Sequence, residues 1–347
     1  MTRTQATDVA VLIGRFQPFH NGHAALLAKA LQSAPNVIVI LGSAFHARNP
    51  KNPFGWQERA AMIANTLSEA DRQRVSYIPL RDYYDDKRWA SAVLKEVARQ
   101  VPPGARVALV GHFKDASSHY LRHFPQWELI EIGSQGDIDA TNIRQVLFEA
   151  DDMAISLDVV DAAIPLAVRH YLKAWSLLPC YRELVREYAM LKEYKASWSG
   201  TPYAPIFSTV DAVVKTAGHV LLIKRKNHPG LGLWALPGGY VEPRERLLQA
   251  AIRELEEETT LGVLSNTLPD ALVAVEVFDH PDRSLRGRSI THAHFFDLKS
   301  EQLPEVEAGD DAASASWVPV QQLAGMEELF FDDHFHILNH FLHLTTD

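Results

Sequence analysis

Glu254, Glu256, Glu257 and Glu258 stand within five residues of the stretch "RELEEETTL", 253–261. On a helix, like charges one turn apart repel, so the crowding costs local stability unless water or a cation offsets it. Glu254, Glu257 and Glu258 fall at zero, three and four, beside an apolar stripe of Leu248, Ala251, Ile252 and Leu255. Three carboxylates in one arc supply the hard oxygens that magnesium prefers, with water and substrate phosphates completing the octahedron. Arg253 can reach Glu245 or Glu257 and hold the set in place. Gly238-Gly239 reads as a tight turn, and Pro243 as the first helical position. For an isolated glutamate pair, a solvated acidic face is the ordinary reading.

A second cluster lies in "GRFQPFHNGH", 14–23, directly after an apolar run. His20 and His23 flank Asn21-Gly22 where the chain turns into a helix. A helix start presents free backbone donors and a positive dipole end, so anions settle there. Two imidazoles add directed donors, and Gly22 lets the backbone approach closely. The spacing also permits zinc, but without a nearby cysteine or third ligand phosphate is the better reading.

These residues need elements to carry them. The first half alternates strand-like runs, "DVAVLIG", "NVIVILG", "RVSYIPL", "RVALVGH" and "WELIEIG", with helical stretches such as "HAALLAKALQSA" and "RWASAVLKEVARQ". Such alternation predicts an α/β domain with a mostly parallel sheet, whose ligands sit beyond the carboxyl ends of the strands. From about 150 to 195 the pattern becomes helical, and "YKASWSGTPYAP" reads as a linker. The expected domains are therefore 1–195 and 196–347. The second offers strands at "IFSTVDAVV", "HVLLIKRK", "ALVAVEVFD" and "SITHAHFFDL", an internal helix after "LPGGYVEP" and a terminal one at "FDDHFHILNHFLHL". That is an α+β domain.

Bulk properties narrow the partners. The 347 residues carry a net charge of −9, which argues against broad nucleic-acid binding. One cysteine, Cys180, excludes a disulfide framework within the chain. No signal peptide or membrane-spanning run is evident, so a soluble cytoplasmic protein is expected.

The frame Gly239, Glu245, then Arg253-Glu254-Leu255-x-Glu257-Glu258-x-x-Leu261 resembles the Nudix box, with Thr260 where the family usually has a helix-ending glycine. The resemblance implies metal-dependent hydrolysis of a nucleoside diphosphate linked to another group. Glu254, Glu257 and Glu258 would bind the metal, with Glu245 and Arg253 orienting them. The general base would be Glu254 or a later glutamate such as Glu305 or Glu307. The segment "FDHPDRSLRGRSITHAHFF" is similar to Nudix domains of NAD metabolism, which suggests ADP-ribose as substrate. Its Arg283, Arg286 and Arg288 would face substrate phosphates, or else lie on an ordinary loop surface.

His20-Asn21-Gly22-His23 resembles the H-x-G-H signature of nucleotidyltransferases. With "GSAFHARNPKNPFGWQER", 42–59, and "IDATNIR", 138–144, it looks like the archaeal-type nicotinamide mononucleotide (NMN) adenylyltransferases. Asp139 replaces that family's serine. Thr141 can cap a helix there, and Arg144, one turn in, can hold a phosphate with its planar fork. Lys51 would act as a point charge, close to the nucleotide-binding Gly14, Arg15 and Phe16. The resemblance puts Trp89 on the nicotinamide ring and Asp82 near its amide, with a core aromatic as the alternative for Trp89. It puts Gly111 at the adenine, and Lys114 and Ser117 at phosphate or ribose, with solvent as the alternative for both. The implied reaction joins NMN to the adenylyl group of ATP, giving NAD and pyrophosphate, by positioning and charge neutralisation.

Together the two resemblances point to the bifunctional NMN adenylyltransferase/Nudix proteins: a Rossmann-like α/β half and an α+β Nudix half. They imply Mg2+ (or Mn2+) as cofactor and ATP, NMN or NAD, and ADP-ribose as small-molecule partners. Homo-oligomers are allowed. The alternatives are a transferase for another small phosphate, or a Nudix-type transcription regulator. Trp89 and "IDATNIR" disfavour the former; the retained carboxylates and the acidic tail disfavour the latter.

Overall fold

The computed structural model describes residues 7–112, 116–133, 139–149, 152–261, 267–309 and 311–345. The chain divides into two compact units, Met1–Arg186 and Glu187–Asp347.

In the first unit the strands β1 (Val9–Gly14), β2 (Asn36–Leu41), β3 (Val75–Pro79), β4 (Val107–Gly111) and β5 (Glu128–Glu131) form a sheet in the order β3-β2-β1-β4-β5. Every pairing is parallel. Val9 to Leu12 are buried on both faces of β1, as a strand covered on both sides requires. The helices are α1 (Asn21–Ser33), α2 (Trp56–Ala64), α3 (Glu69–Arg72), α4 (Asp86–Gln100), α5 (Ala140–Glu149), α6 (Met153–Val159) and α7 (Leu166–Trp175), and the unit boundary falls within α8 (Pro179–Ala196). After β1 the chain builds outward to one side, then returns to the other through β4. The order therefore reverses between β1 and β4, and the crevice beyond their carboxyl ends is where such sheets take ligands.

The second unit has the mixed sheet order β10-β11-β6-β7-β12, with β8 beside β7 and β9 beside β6. Its strands are β6 (Ile206–Thr216), β7 (His219–Arg225), β8 (Trp234–Ala235), β9 (Gly238–Tyr240), β10 (Leu272–Phe278), β11 (Arg288–Asp297) and β12 (Ala312–Pro319). β6 and β11 run parallel, and the other pairings are antiparallel. The helices are α9 (Leu247–Thr259), α10 (Val320–Leu323) and α11 (His334–Leu342). Leu255 of α9 is fully buried against Val214, Leu221 and Phe296, with Leu248 and Ile252 packed beside it. Each such side chain contributes about 1.5–3 kcal/mol on burial.

Three expectations need correction. α9 starts at Leu247, not at Pro243, which lies in the preceding turn. Gln249 reaches back to the Arg246 N–H at 2.9 Å and fixes the later start. The "YKA" of the expected linker continues α8 to Ala196. β12, "AASASWVP", was not expected, because alanine and serine have little strand propensity; its pairing with β7 makes it a strand.

Candidate active sites

His20 is the N-cap of α1 and His23 its third residue, and together they form a capping box built from imidazoles. The His23 N–H donates to His20 Nδ1, and the His20 N–H to His23 Nδ1, each at 3.4 Å. A ring that accepts at Nδ1 is neutral and carries its proton on Nε2. Burial and the neighbouring ring push His23 well below the usual histidine range, consistent with that state. The rings stack with centroids 3.6 Å apart. Gly22 lets the His20 ring lie close, since a Cβ would stand 3.1 Å from it and push it aside.

The loops around this pair are tied by a guanidinium that sequence reading missed. Arg59, on α2, is fully buried. Its Nη1 donates to the carbonyls of Arg15 at 2.7 Å and Gly42 at 2.6 Å, and its Nη2 to that of Ser43 at 3.2 Å. It thus joins the loops after β1 and β2. Burial lowers it to about 10, so it stays charged. Gln17 adds a second tie, exchanging hydrogen bonds with the Phe54 backbone. A basic residue in "GWQER" shows nothing of this from sequence; only packing reveals it.

Arg144 comes to the same place from α5. Its Nη1 donates to the Gln17 carbonyl at 2.6 Å and its Nη2 to Thr141 Oγ1 at 3.2 Å. Burial lowers it to about 10, and Arg15 pushes in the same direction. Arg15 is in electrostatic reach of Arg59, Arg144 and Asp82. Cations gathered this closely repel unless an anion joins them. The expected capping role of Thr141 passes to Asp139, whose Oδ1 accepts the Thr141 N–H at 2.9 Å. The residue that departs from the family serine therefore keeps the cap.

Asp82 lies beyond β3. Its Oδ2 accepts from Ser43 Oγ at 2.7 Å and from His46 Nε2 at 3.2 Å. Burial raises its pKa, but these hydrogen bonds and Arg15 outweigh that and hold it below the ordinary carboxylate range. Trp89 is half-buried near the start of α4 and packs edge-on against Tyr120 and Phe124. Lys51 lies in a turn closed by Asn49 and is half-buried. Gly14 accommodates the Phe16 ring, 2.9 Å from any added Cβ. At Gly111 the neighbour that excludes a Cβ is Leu121, at 2.7 Å, so packing already accounts for this glycine. Lys114 and the side chain of Ser117 lie outside the described residues.

In the second unit Arg253 organises the glutamates. Its Nε and Nη2 fork onto Glu245 at 3.0 and 2.7 Å, while Nη1 donates to Glu254 at 2.8 Å and Glu257 at 2.9 Å. Glu258 is buried and accepts the Gly238 N–H at 2.9 Å. Gly239 lies against Glu254, where a Cβ would stand 2.5 Å from the carboxylate. The loop at 307–309 closes the last turn, with Glu307 and Gly309 N–H groups donating to the carbonyls of Thr259 and Glu258. Thr260 takes the left-handed conformation, φ 42° and ψ 41°, that a glycine would take freely. The exit turn is therefore retained.

Among the described residues no three His, Cys, Asp or Glu side chains form a ready-made metal cage. Arg253 holds Glu254 and Glu257, and Gly238 holds Glu258, so the expected convergence of all three is not present. The donor set nevertheless fits a divalent cation. Burial lifts Glu258 to about 8, with the Glu254 charge adding to it, and burial raises Glu254, with Glu257 and Glu245 adding to that. Carboxylates in that state gain most from a cation. Magnesium commonly takes one or two carboxylates and completes its shell with water and substrate phosphates.

Arg283 and Arg288 were expected to face phosphates, and the structure uses them otherwise. Arg283 is buried and forks onto Asp333 at 2.9 and 2.7 Å. Arg288 donates to the Asp279 carbonyl. Glu305 and Glu307 are exposed. Asp211, buried under Gly238 and bonded to Thr291 Oγ1 at 2.6 Å, was not foreseen.

A cytidylyltransferase-like family model matches residues 11–145, and a NUDIX domain model matches 206–341. A nicotinamide/nicotinic acid mononucleotide adenylyltransferase of Acinetobacter baylyi is 36% identical over 182 residues, 52% of this chain and 93% of that protein. An ADP-ribose pyrophosphatase of Methanocaldococcus jannaschii is 38% identical over 114 residues, 33% of this chain and 62% of that protein. The crystal structure of a bifunctional NMN adenylyltransferase/ADP-ribose pyrophosphatase of Francisella tularensis, complexed with AMP and manganese, covers 97% of this chain and 99% of its own. It is 35% identical, with a TM-score of 0.88. The chain belongs to this bifunctional family. In a bifunctional NMN adenylyltransferase/ADP-ribose pyrophosphatase, the imidazole and guanidinium cluster falls within the cytidylyltransferase-like match and the glutamate helix within the NUDIX match. Hydrolases of the Nudix kind depend on a divalent metal, and the Francisella relative holds manganese.

Proposed function

We propose that the first unit makes NAD from NMN and ATP, and that the second hydrolyses ADP-ribose to AMP and ribose 5-phosphate. The observation that carries the first reading is the set of guanidiniums around the neutral histidine pair at the β1/β4 switch point. An NMN 5′-phosphate oxygen attacks the α-phosphorus of ATP, the bond to the β-phosphate breaks, and pyrophosphate leaves. No protein nucleophile is needed. The Nε2–H groups of His20 and His23 and the fork of Arg144 neutralise charge on the phosphates, with Lys51 and Arg15 adding point attraction. Gly14, Phe16, Thr141 and Gly111 shape the nucleotide site, and Asp82 and Trp89 receive the nicotinamide.

In the second unit the divalent ion would be held by Glu254, Glu257 and Glu258; when bound it neutralises the diphosphate and acidifies water. Magnesium is our assignment, with manganese a substitute. Arg253 and Glu245 keep the carboxylates in place. Glu254, raised above the ordinary carboxylate range, takes the proton of the attacking water.

Mixing the protein with NMN, ATP and magnesium should yield NAD, and absence of NAD would end the first reading. Glu257→Gln should lower metal-dependent hydrolysis of ADP-ribose by about 10- to 100-fold; unchanged hydrolysis would end the second. No described helix is long and apolar enough to cross a membrane. We place the protein in the cytoplasm, acting on small nucleotides and not on nucleic acid or membrane, with homo-oligomers allowed.

A further inference from the structure

Three arginines stand at 283, 286 and 288, and the fold gives them different tasks. Arg283 is locked to Asp333 and Ser289. Arg288 is held by backbone carbonyls. Arg286 is held by rings. Its guanidinium carbon lies 5.4 Å from the Tyr240 centroid and 5.7 Å from that of Phe331. Its Nε is buried with no hydrogen-bond partner among the described residues. Ring faces fix the plane of a guanidinium through its charge without using its N–H donors. An arginine set this way keeps its donors for a ligand.

The rings have partners of their own, and Tyr240 adjoins the glutamate helix. Tyr240 follows Gly239, and its carbonyl accepts from Arg253 Nη2 at 3.1 Å. Its hydroxyl pairs with that of Tyr194 at 2.5 Å, and its ring meets Phe207 at 5.6 Å. Phe331 also carries Arg225, whose guanidinium carbon is 4.2 Å from the ring centre. Arg225 is in electrostatic reach of both Glu258 and Arg286. Arg225 spends its Nε on the Pro229 carbonyl. Arg286 faces Asp332, but among the described residues its Nε has no hydrogen-bond partner; it rests on an aromatic base and is joined to the glutamate helix through Arg225.

We propose that Arg286 binds the substrate of the hydrolase half, gripping the diphosphate of a nucleoside-diphosphate-linked sugar. This rests on the hydrolase reading above. A diphosphate offers paired anionic oxygens, which suit the parallel donors of a guanidinium. Arg286→Ala should therefore raise KM for ADP-ribose about tenfold or more and leave kcat nearly unchanged. Arg286→Lys should also bind poorly, because an ammonium keeps the charge but loses the fork and the stacking.

The experiment is steady-state hydrolysis of ADP-ribose by the full chain and both variants, with Mn2+ binding to the free proteins measured alongside. Raised KM with Mn2+ binding retained supports the proposal. Unchanged KM in both variants, a loss confined to kcat, or lost Mn2+ binding overturns it. Should Arg286→Ala fail to fold, Arg286→Lys carries the same test. The two readings fail differently: wild-type protein that leaves ADP-ribose intact refutes the hydrolase assignment itself, whereas active wild type with indifferent Arg286 variants refutes this inference alone.

Discussion

Around α1, guanidiniums and neutral imidazoles are fixed by backbone carbonyls and N–H groups before any ligand arrives. On α9, Arg253 ties Glu254 to Glu257, and Glu254 and Glu258 are lifted in pKa by burial first and by neighbouring carboxylates second. The first arrangement meets phosphate directly, because its donors are already positive or polarised. The second has the sign of the phosphate and needs a cation between them. Preorganisation at the first site is thus built into the fold by hydrogen bonds, while at the second it is completed by an ion and by substrate. That difference predicts which perturbations each half tolerates.

The largest expected effect tests permanence at the first site. Arg59→Ala removes a buried guanidinium and leaves the carbonyls of Arg15, Gly42 and Ser43 without their donor. The loss should be about 3–5 kcal/mol, read as a lowered unfolding midpoint of the first unit. Stability equal to wild type would show that the loops hold without it. Next comes Gly239→Ala, whose methyl group would press on Glu254. Hydrolysis should fall about 10- to 100-fold while NAD formation continues, a split visible in paired assays. Arg144→Lys should lower adenylyl transfer by about tenfold without changing hydrolysis, since a lysine cannot fork between Gln17, Thr141 and a phosphate.

A pH series sharpens the contrast further. The folded protein holds a proton on Glu258 up to about 8, against an ordinary value of 4.5. Between those values the folded state binds more protons than the unfolded one, so metal-free stability should fall as pH rises. Added divalent ion should remove that slope, because it replaces the proton. A calorimetric series with and without Mn2+ would reveal this, and a flat metal-free profile would contradict it. His23 works in the opposite direction. It is kept neutral, so acid below about 6.5 should destabilise the first unit, since the unfolded state gains the proton first. The smallest effect is Thr260→Gly, which relieves a β-branched residue at positive φ. It should add about 1 kcal/mol to stability with hydrolysis unchanged.

Much of this protein is legible in its sequence. The parallel strands show as apolar runs because both faces of such a sheet are covered. The stripe Leu248, Ala251, Ile252 and Leu255 shows α9, because helical spacing puts those residues on one side. His20, His23 and the glutamates are close in sequence, so spacing alone brings each set together. The start of α9, the helical end of the linker and β12 were not legible. A side chain reaching back, a helix continuing past a turn-like composition and a partner strand decide them.

What the sequence by itself determined is the local chemistry: which helix starts with imidazoles, which helix bears carboxylates, and which residues lie one turn apart. Only the tertiary structure decided how three similar arginines differ. Arg283 is spent on Asp333, Arg288 on backbone carbonyls, and Arg286 rests on aromatic faces. It also decided that Arg59 is an internal strut and Asp139 the cap of α5. The physical reason is that the use of a charged side chain depends on which distant groups surround it. Those groups are brought near by chain segments far apart in sequence.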